Sequence, residues 1–372
     1  MKSIFKMLLI SVLIISCSGD DTNIIEKTKE IEVIKEIEVT PDTKFDGGFF
    51  VSAEGNFGMK DGSISYVTND LSTTTNFIYN KVNGVQLGGL IQSITYNGDN
   101  AYVILNDAAT LVIIDRVTFK RKAVVTSGLK NPRYMAVIGT KGYITNWGEG
   151  ADENDDYVAI LDLTTNKLET NTISLANGVE QIVSKDDKLF VSHKGAFSSN
   201  NIVSVIDTSS NNSVSTITVK DNPDDMLFTE DGSLVVLSEG RGTAFGGAPF
   251  FEVLERTTSA ISFIDTDTNE IKKQWVFDEN KGSALLAYTK GNLYYVLGTD
   301  VIEIDAEATD LSASKEGIAV GNVYGMNAKE DKLYTVSAAF TIFSELKIFD
   351  IPSKSAIFSS SVGLGASKIY FE

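Results

Sequence analysis

A unit of about 45 residues returns from end to end of this chain, and few folds accept such a period. Residues 201–219, NIVSVIDTSSNNSVSTITV, are its clearest copy, and 157–175 and 259–277 follow it closely. Weaker copies lie at 110–125, 300–318, 345–362 and 62–79. In six of the seven, a β-branched strand ends on an aspartate: Asp115, Asp162, Asp207, Asp265, Asp305 or Asp350. The copy at 62–79 has Thr68-Asn69 there. An Asp or Asn caps a tight turn through its own side chain, and a second strand follows. Between copies stands a hairpin with a polar turn, as in VSKDDKLFVS (183–192) and FTEDGSLVVLS (228–238). Each unit therefore holds four short antiparallel strands, which is a propeller blade. Intervals between the aspartates are 47, 45, 58, 40 and 45 residues.

Six units are complete. The seventh is split: SKIYFE at the C-terminus supplies one strand, and GFFVSAEG (48–55) with 62–79 supplies three. The pattern predicts an all-β, seven-bladed propeller of four-stranded blades, its first blade closed by N- and C-terminal strands. Closure of this kind removes a free sheet edge. The 58-residue interval would change the count to six or eight only by hiding another hairpin.

YITNW (143–147) and VSVIDTSSN (203–211) resemble the YVTN-type β-propeller repeat. AEGNFGMKDGSISYV (53–67) resembles the opening blade of a propeller group found among Bacteroidota surface lipoproteins. The resemblance covers 49–372. It implies the fold, and it implies relatives that capture cobalamin or iron chelates.

The N-terminus gives an address. Lys2 and Lys6 precede the apolar run at 7–15, which is too short to span a bilayer and reads as a secretory signal over 1–16. Ile14-Ile15-Ser16-Cys17 resembles a bacterial lipobox, which implies that Cys17 is lipidated. Cys17 is the only cysteine, so no disulfide is expected. Ser18-Gly19-Asp20-Asp21 resembles an acidic surface-export signal and implies display on the outside of the outer membrane. Residues 17–46, with the repeated KEIEV, read as lipidated Cys and spacer, and 47–372 as the propeller domain. Only the lipid anchor would touch the membrane. Net charge is −18, and −20 without Lys2 and Lys6, which excludes a nucleic-acid partner.

Long loops after the second strand of each unit, and the crossings between units, fall on one face. That face carries the candidate ligand residues Asn56, Phe57, Arg133, Asn146, Trp147, His193, Phe197, Arg241, Phe245, Phe250, Arg256, Tyr324 and Phe340. Exposed aromatics with a few Arg and Asn suit a large, flat, amphipathic ligand. Each has a plainer reading: Trp147 covers a blade end, His193 is a hydrogen-bonding scaffold residue, Phe250 packs its own loop, and Arg241 or Arg256 pairs with a nearby Glu. Asp152, Asn154 and Asp156 alternate like part of a calcium loop, but no Gly or closing Glu follows in register.

No HExxH, GxSxG or cysteine nucleophile is present, and the SxxK matches at 312–315 and 344–347 lack companion motifs. No converging carboxylate set across blades is legible, so a calcium-dependent propeller lactonase is disfavoured. The expectation is a non-enzyme without cofactor or resident metal. It would bind a small molecule or metal chelate (corrinoid, haem or ferric siderophore) for a TonB-dependent-type outer-membrane transporter. The competing expectation is a protein-interaction platform or adhesin without a small ligand.

Overall fold

A computed structural model describes residues 37–40, 42–241, 255–279 and 281–371, together with the backbone of 244–245 and 253–254. The expected signal segment and Cys17 lie outside the described residues. Seven four-stranded antiparallel sheets form the propeller. Blade 1 joins the chain ends: its inner strand Ala366–Phe371 pairs with Gly48–Ala53, followed outward by Ser63–Thr68 and Thr74–Thr75. Blades 2 to 7 follow in chain order over 91–125, 132–174, 179–218, 223–276, 286–319 and 325–362. Beyond its blade strands, the 58-residue interval holds, among the described residues, a hairpin of two-residue strands, Ala244–Phe245 with Val253–Leu254, which adds no blade.

Seven apolar cores lie between neighbouring blades. Alternation along each strand builds them. In Tyr157–Asp162 of blade 3, Val158 and Ile160 pack toward blade 4, while Ala159 and Leu161 pack toward blade 2. Both faces are buried, so these strands read as apolar runs and not as alternating ones.

The repeat aspartates cap as expected. Asp115 accepts the Val117 and Thr118 N–H groups, Asp162 those of Thr164 and Thr165, and Asp207 those of Ser209 and Ser210. In blade 1, Asp70 does this two positions late, accepting the Ser72 N–H. Burial pushes the Asp115 carboxyl up, but bonds from Thr118 and Lys122 outweigh it and hold the pKa down at about 2. That stability is fully present above the unfolded value of about 3.9 and is lost as pH falls through about 2. Asp115→Ala should therefore melt below wild type at pH 7, with the gap closing toward pH 2 in thermal melts.

Two details differ from the reading of the sequence. The 62–79 copy ends in a helix, Ile78–Asn83, and not in strand, because Ile78 and Tyr79 turn inward to fill the core between blades 1 and 2. The stretch read as a spacer also packs on the domain. Ile37 and Val39 lie against that core, and Phe45 is fully buried in it, between Tyr66 and Phe119.

Candidate functional site: the axial cavity

The inner strands share an irregularity. Ile91–Asn97, Pro132–Ile138, Val179–Lys185 and Pro223–Phe228 each slip register against the second strand near their start, and Ala366–Phe371 does so at Ser367. A bulge re-aims side chains and is common beside binding sites. Here it brings successive residues to the axis: Gln92 and Ser93, Arg133 and Tyr134, Glu180 and Gln181, Asp224 and Asp225, Ser367 and Lys368. They line an axial cavity of about 850 Å³. Residues just after the second strands, Glu54, Asn106, Lys194 and Glu239, line it too, so it reaches the face that carries the long loops.

The charged side chains of the cavity come mostly from blades 3 to 5, beside apolar ones of the same blades such as Ile182, Met226 and Phe228. Arg133 Nε donates to both Glu180 oxygens at 3.1 Å, and its Nη2 donates to Oε1 at 2.6 Å. The guanidinium lies 3.9 Å from the Trp147 ring centroid, and Trp147 Nε1 donates to the Val179 carbonyl at 2.6 Å. Lys194 Nζ reaches Asp224 at 2.6 Å and Glu239 at 2.9 Å. Asp225 accepts the Gln181 amide and the Leu286 N–H, each at 2.9 Å, which ties blades 4, 5 and 6 together. Blades 6 and 7 supply an apolar lining, with Leu285, Leu286, Tyr288, Val323 and Met326.

Burial sets the electrostatics. It pushes Asp225 up to about 7, helped by the adjacent Asp224 charge. Glu239 also rises to about 7 through burial, against the pull of Lys194. Burial raises Glu180 as well, opposed by Arg133. For Lys194, Asp224 and Glu239 overcome burial and hold the ammonium above its ordinary range.

Of the residues expected from sequence, Arg133 and Tyr324 line the cavity. Trp147 stands behind Arg133, with Phe197 edge-on to it at 6.2 Å and 70% exposed. Phe57 and Phe340 are exposed on the loop face. Asn56 donates to Asp61 through both its backbone and its side-chain amide. Asn146 is fully buried, accepting the Lys130 N–H and donating to Ile144. Arg241 turns to the Glu255 carbonyl and Asp221, and Arg256 is exposed. The side chain of Phe245 and all of Phe250 lie outside the described residues. In the loop with alternating acids, Asp156 turns inward to the Gly178 and Val179 N–H groups.

His193 does not reach the loop face. It is fully buried between the Asn177 carbonyl and Ser204 Oγ, and burial holds its pKa down at about 4. A depressed value gives stability that is present above the unfolded pKa of about 6.5 and lost as pH falls toward 4. A His193→Gln variant should melt with a flatter pH dependence between 6.5 and 4 than wild type.

The sequence reading found no carboxylates converging across blades. The structure corrects this: Glu54, Glu180, Asp224, Asp225 and Glu239, from three blades, all line the cavity. Among the described residues, however, no three His, Cys, Asp or Glu side chains are grouped to hold a metal ion. The signal that was present is a polar pair, such as EQ at 180–181 or DD at 224–225, set inside an otherwise apolar inner strand.

Solved structures share the architecture. The dihydro-heme d1 dehydrogenase NirN in complex with DHE matches over 90% of this chain and 76% of its own, with a TM-score of 0.54 and 15% identity. Kuenenia stuttgartiensis hydrazine synthase matches over 75% and 88%, with a TM-score of 0.57 and 17% identity. Apo AztD from Citrobacter koseri matches over 87% and 97%, with a TM-score of 0.52 and 12% identity. At such identities the likeness is one of fold. No curated protein matches the chain. A family model described as a domain of unknown function (DUF5074) matches residues 47–244, more than half of the sequence, and the chain belongs to that family.

Proposed function

We propose that this protein is a binding module whose axial cavity captures a scarce nutrient. The nutrient is of the corrinoid, haem or ferric siderophore class, and it is handed to a TonB-dependent-type transporter. The module is a lipoprotein held at the outer membrane by Cys17 and displayed to the exterior. The resemblance to surface lipoprotein propellers supports that address. One observation carries the binding reading: a cavity of about 850 Å³, lined by charged and apolar side chains together, reaches the loop-bearing face. Pockets of this size enclose a drug-sized ligand, and the mixed lining suits an amphipathic one. By its name, one fold neighbour acts on a haem d1 species, which fits a large ring ligand.

A second reading has its own observation. Phe57, Met59, Ile342 and Phe343 are 78%, 69%, 70% and 49% exposed on the loops of blades 1 and 7. Exposed apolar side chains of this size suit a protein partner, and a patch built from them supports an interaction platform or adhesin.

Calorimetric titration separates the two, using a soluble chain that begins ahead of Ile37. Cobalamin, haem and ferric siderophores are the titrants, with and without EDTA. Capture predicts tight binding of one class, weakened at least tenfold by Gln92→Ala with Tyr324→Ala. If the folded protein binds none of them, the patch becomes the functional surface, and a pull-down from outer membranes tests it.

A further inference from the structure

Five carboxyl groups and three cations, Arg133, Lys194 and Lys368, line the cavity, and burial pushes two of the five, Asp225 and Glu239, up to about 7. Arg133 is engaged by Glu180, and Lys194 by Asp224 and Glu239 together. Lys368 lies over the Tyr134 ring at 5.4 Å. Among the described residues, Glu54 has no cation in ion-pair contact. Its Oε2 accepts the Tyr324 hydroxyl at 3.3 Å. The carboxylate therefore faces the cavity with a neutral donor and no ion-paired cation, which favours a positive guest.

Two further features lie beside Glu54. Tyr324 and Phe340 stand edge to face with centroids 6.1 Å apart, and they are 47% and 43% exposed. Phe340 in turn lies against Gly365, whose carbonyl accepts the Glu54 N–H and whose N–H bonds to Ala339. Ser367 is 5% exposed and lines the cavity, yet its Oγ has no hydrogen-bond partner among the described residues. It occupies the bulge position that holds Gln92, Arg133, Glu180 and Asp224 in other blades, one residue from the Ala53–Ala366 pair that leads into Glu54. Buried hydroxyls rarely stay unsatisfied; this one is covered by protein and meets a guest only by rotating toward the cavity. Gly325 keeps the region tight, since a Cβ there would collide with the Ser367 carbonyl.

We propose that the mouth of the cavity, at the junction of blades 7 and 1, is a subsite for an organic ammonium group, formed by Glu54, Tyr324, Phe340 and Ser367. The carboxylate supplies the charge, and the aromatic rings supply faces that attract a cation. The Ser367 hydroxyl accepts an N–H or a polarised C–H. The rest of the ligand extends over the apolar lining of blades 6 and 7. This deepens the binding reading and rests on it.

Choline and its neutral isostere 3,3-dimethyl-1-butanol test the charge at constant shape, by calorimetry or ligand-observed NMR on the soluble protein. The proposal expects choline to bind at least tenfold more tightly than the alcohol. Glu54→Gln and Phe340→Ala should each weaken choline at least fivefold and leave the alcohol within twofold. Equal affinities, choline binding indifferent to both variants, or no choline binding would overturn it. The nutrient titration run on wild type and Glu54→Gln keeps the two readings apart. A nutrient that binds both proteins equally, with no choline preference, removes the ammonium subsite and leaves the cavity reading standing. If nothing binds, both readings fall.

Discussion

Arg133→Ala is expected to remove about 3–5 kcal/mol of stability, because it strands a buried carboxylate. Glu180 is 3% exposed and Arg133 14%, and three hydrogen bonds join them. The substitution also takes the guanidinium off the face of Trp147. Chemical denaturation at pH 7 measures the loss. Its pH dependence identifies the cause. Burial already pushes the Glu180 carboxyl up, and Arg133 is the main force pulling it down. In the variant, the folded-state value rises well above the unfolded one. Stability is then poorest at neutral pH and recovers as the pH falls and Glu180 takes a proton. A deficit that stays constant from pH 7 to 5 would mean that lost packing, and not stranded charge, is responsible. Replacing both partners by apolar residues, Arg133→Met with Glu180→Leu, should come within about 1 kcal/mol of wild type, since no charge is then left alone.

Phe45→Ala should cost a similar 3–5 kcal/mol, the usual range for emptying a buried phenyl site. Phe45 is fully buried, with ring centroids 5.3 Å from Tyr66 and 5.5 Å from Phe119. Its N–H donates to the Val117 carbonyl at 2.8 Å, and the Tyr66 hydroxyl donates to the Asp46 carbonyl at 2.6 Å. These contacts fasten the entering chain across blades 1 and 2, next to the seam where the termini meet. A chain begun at Gly47 should therefore melt at least as far below wild type as Phe45→Ala, and a chain begun ahead of Ile37 should match wild type. Equal melting temperatures for chains begun at Gly47 and ahead of Ile37 would show that the N-terminal plug adds nothing. Any binding measurement made on the shorter chain would carry this deficit.

The repeat was enough to reach the ring. Strand, Asp-capped turn and hairpin are local patterns, readable wherever Asp162 or Asp207 follows a β-branched run. The split blade was legible for the same reason: a surplus strand at one end matched a missing strand at the other. Phe45 was missed because a single aromatic beyond Pro41 carries no periodicity. It takes its meaning from Tyr66 and Phe119, which are distant in sequence.

The candidate site divides in the same way. Loop residues such as Trp147, His193 and Arg241 stood out by type, yet the fold turns each toward its own scaffold. Glu180, Lys194, Asp224 and Asp225 looked like ordinary polar strand residues. They became a site because bulges rotate the inner strands and seven blades converge on one axis. Alone, the sequence determined the strand content, the blade count and the closure of the ring, because these follow from local patterning repeated along the chain. Which side chains share the cavity, how their charges pair and which of its described carboxylates, Glu54 and Asp225, lack an ion-paired cation were decided only by the tertiary structure, since these depend on residues one or more blades apart meeting within a few ångströms.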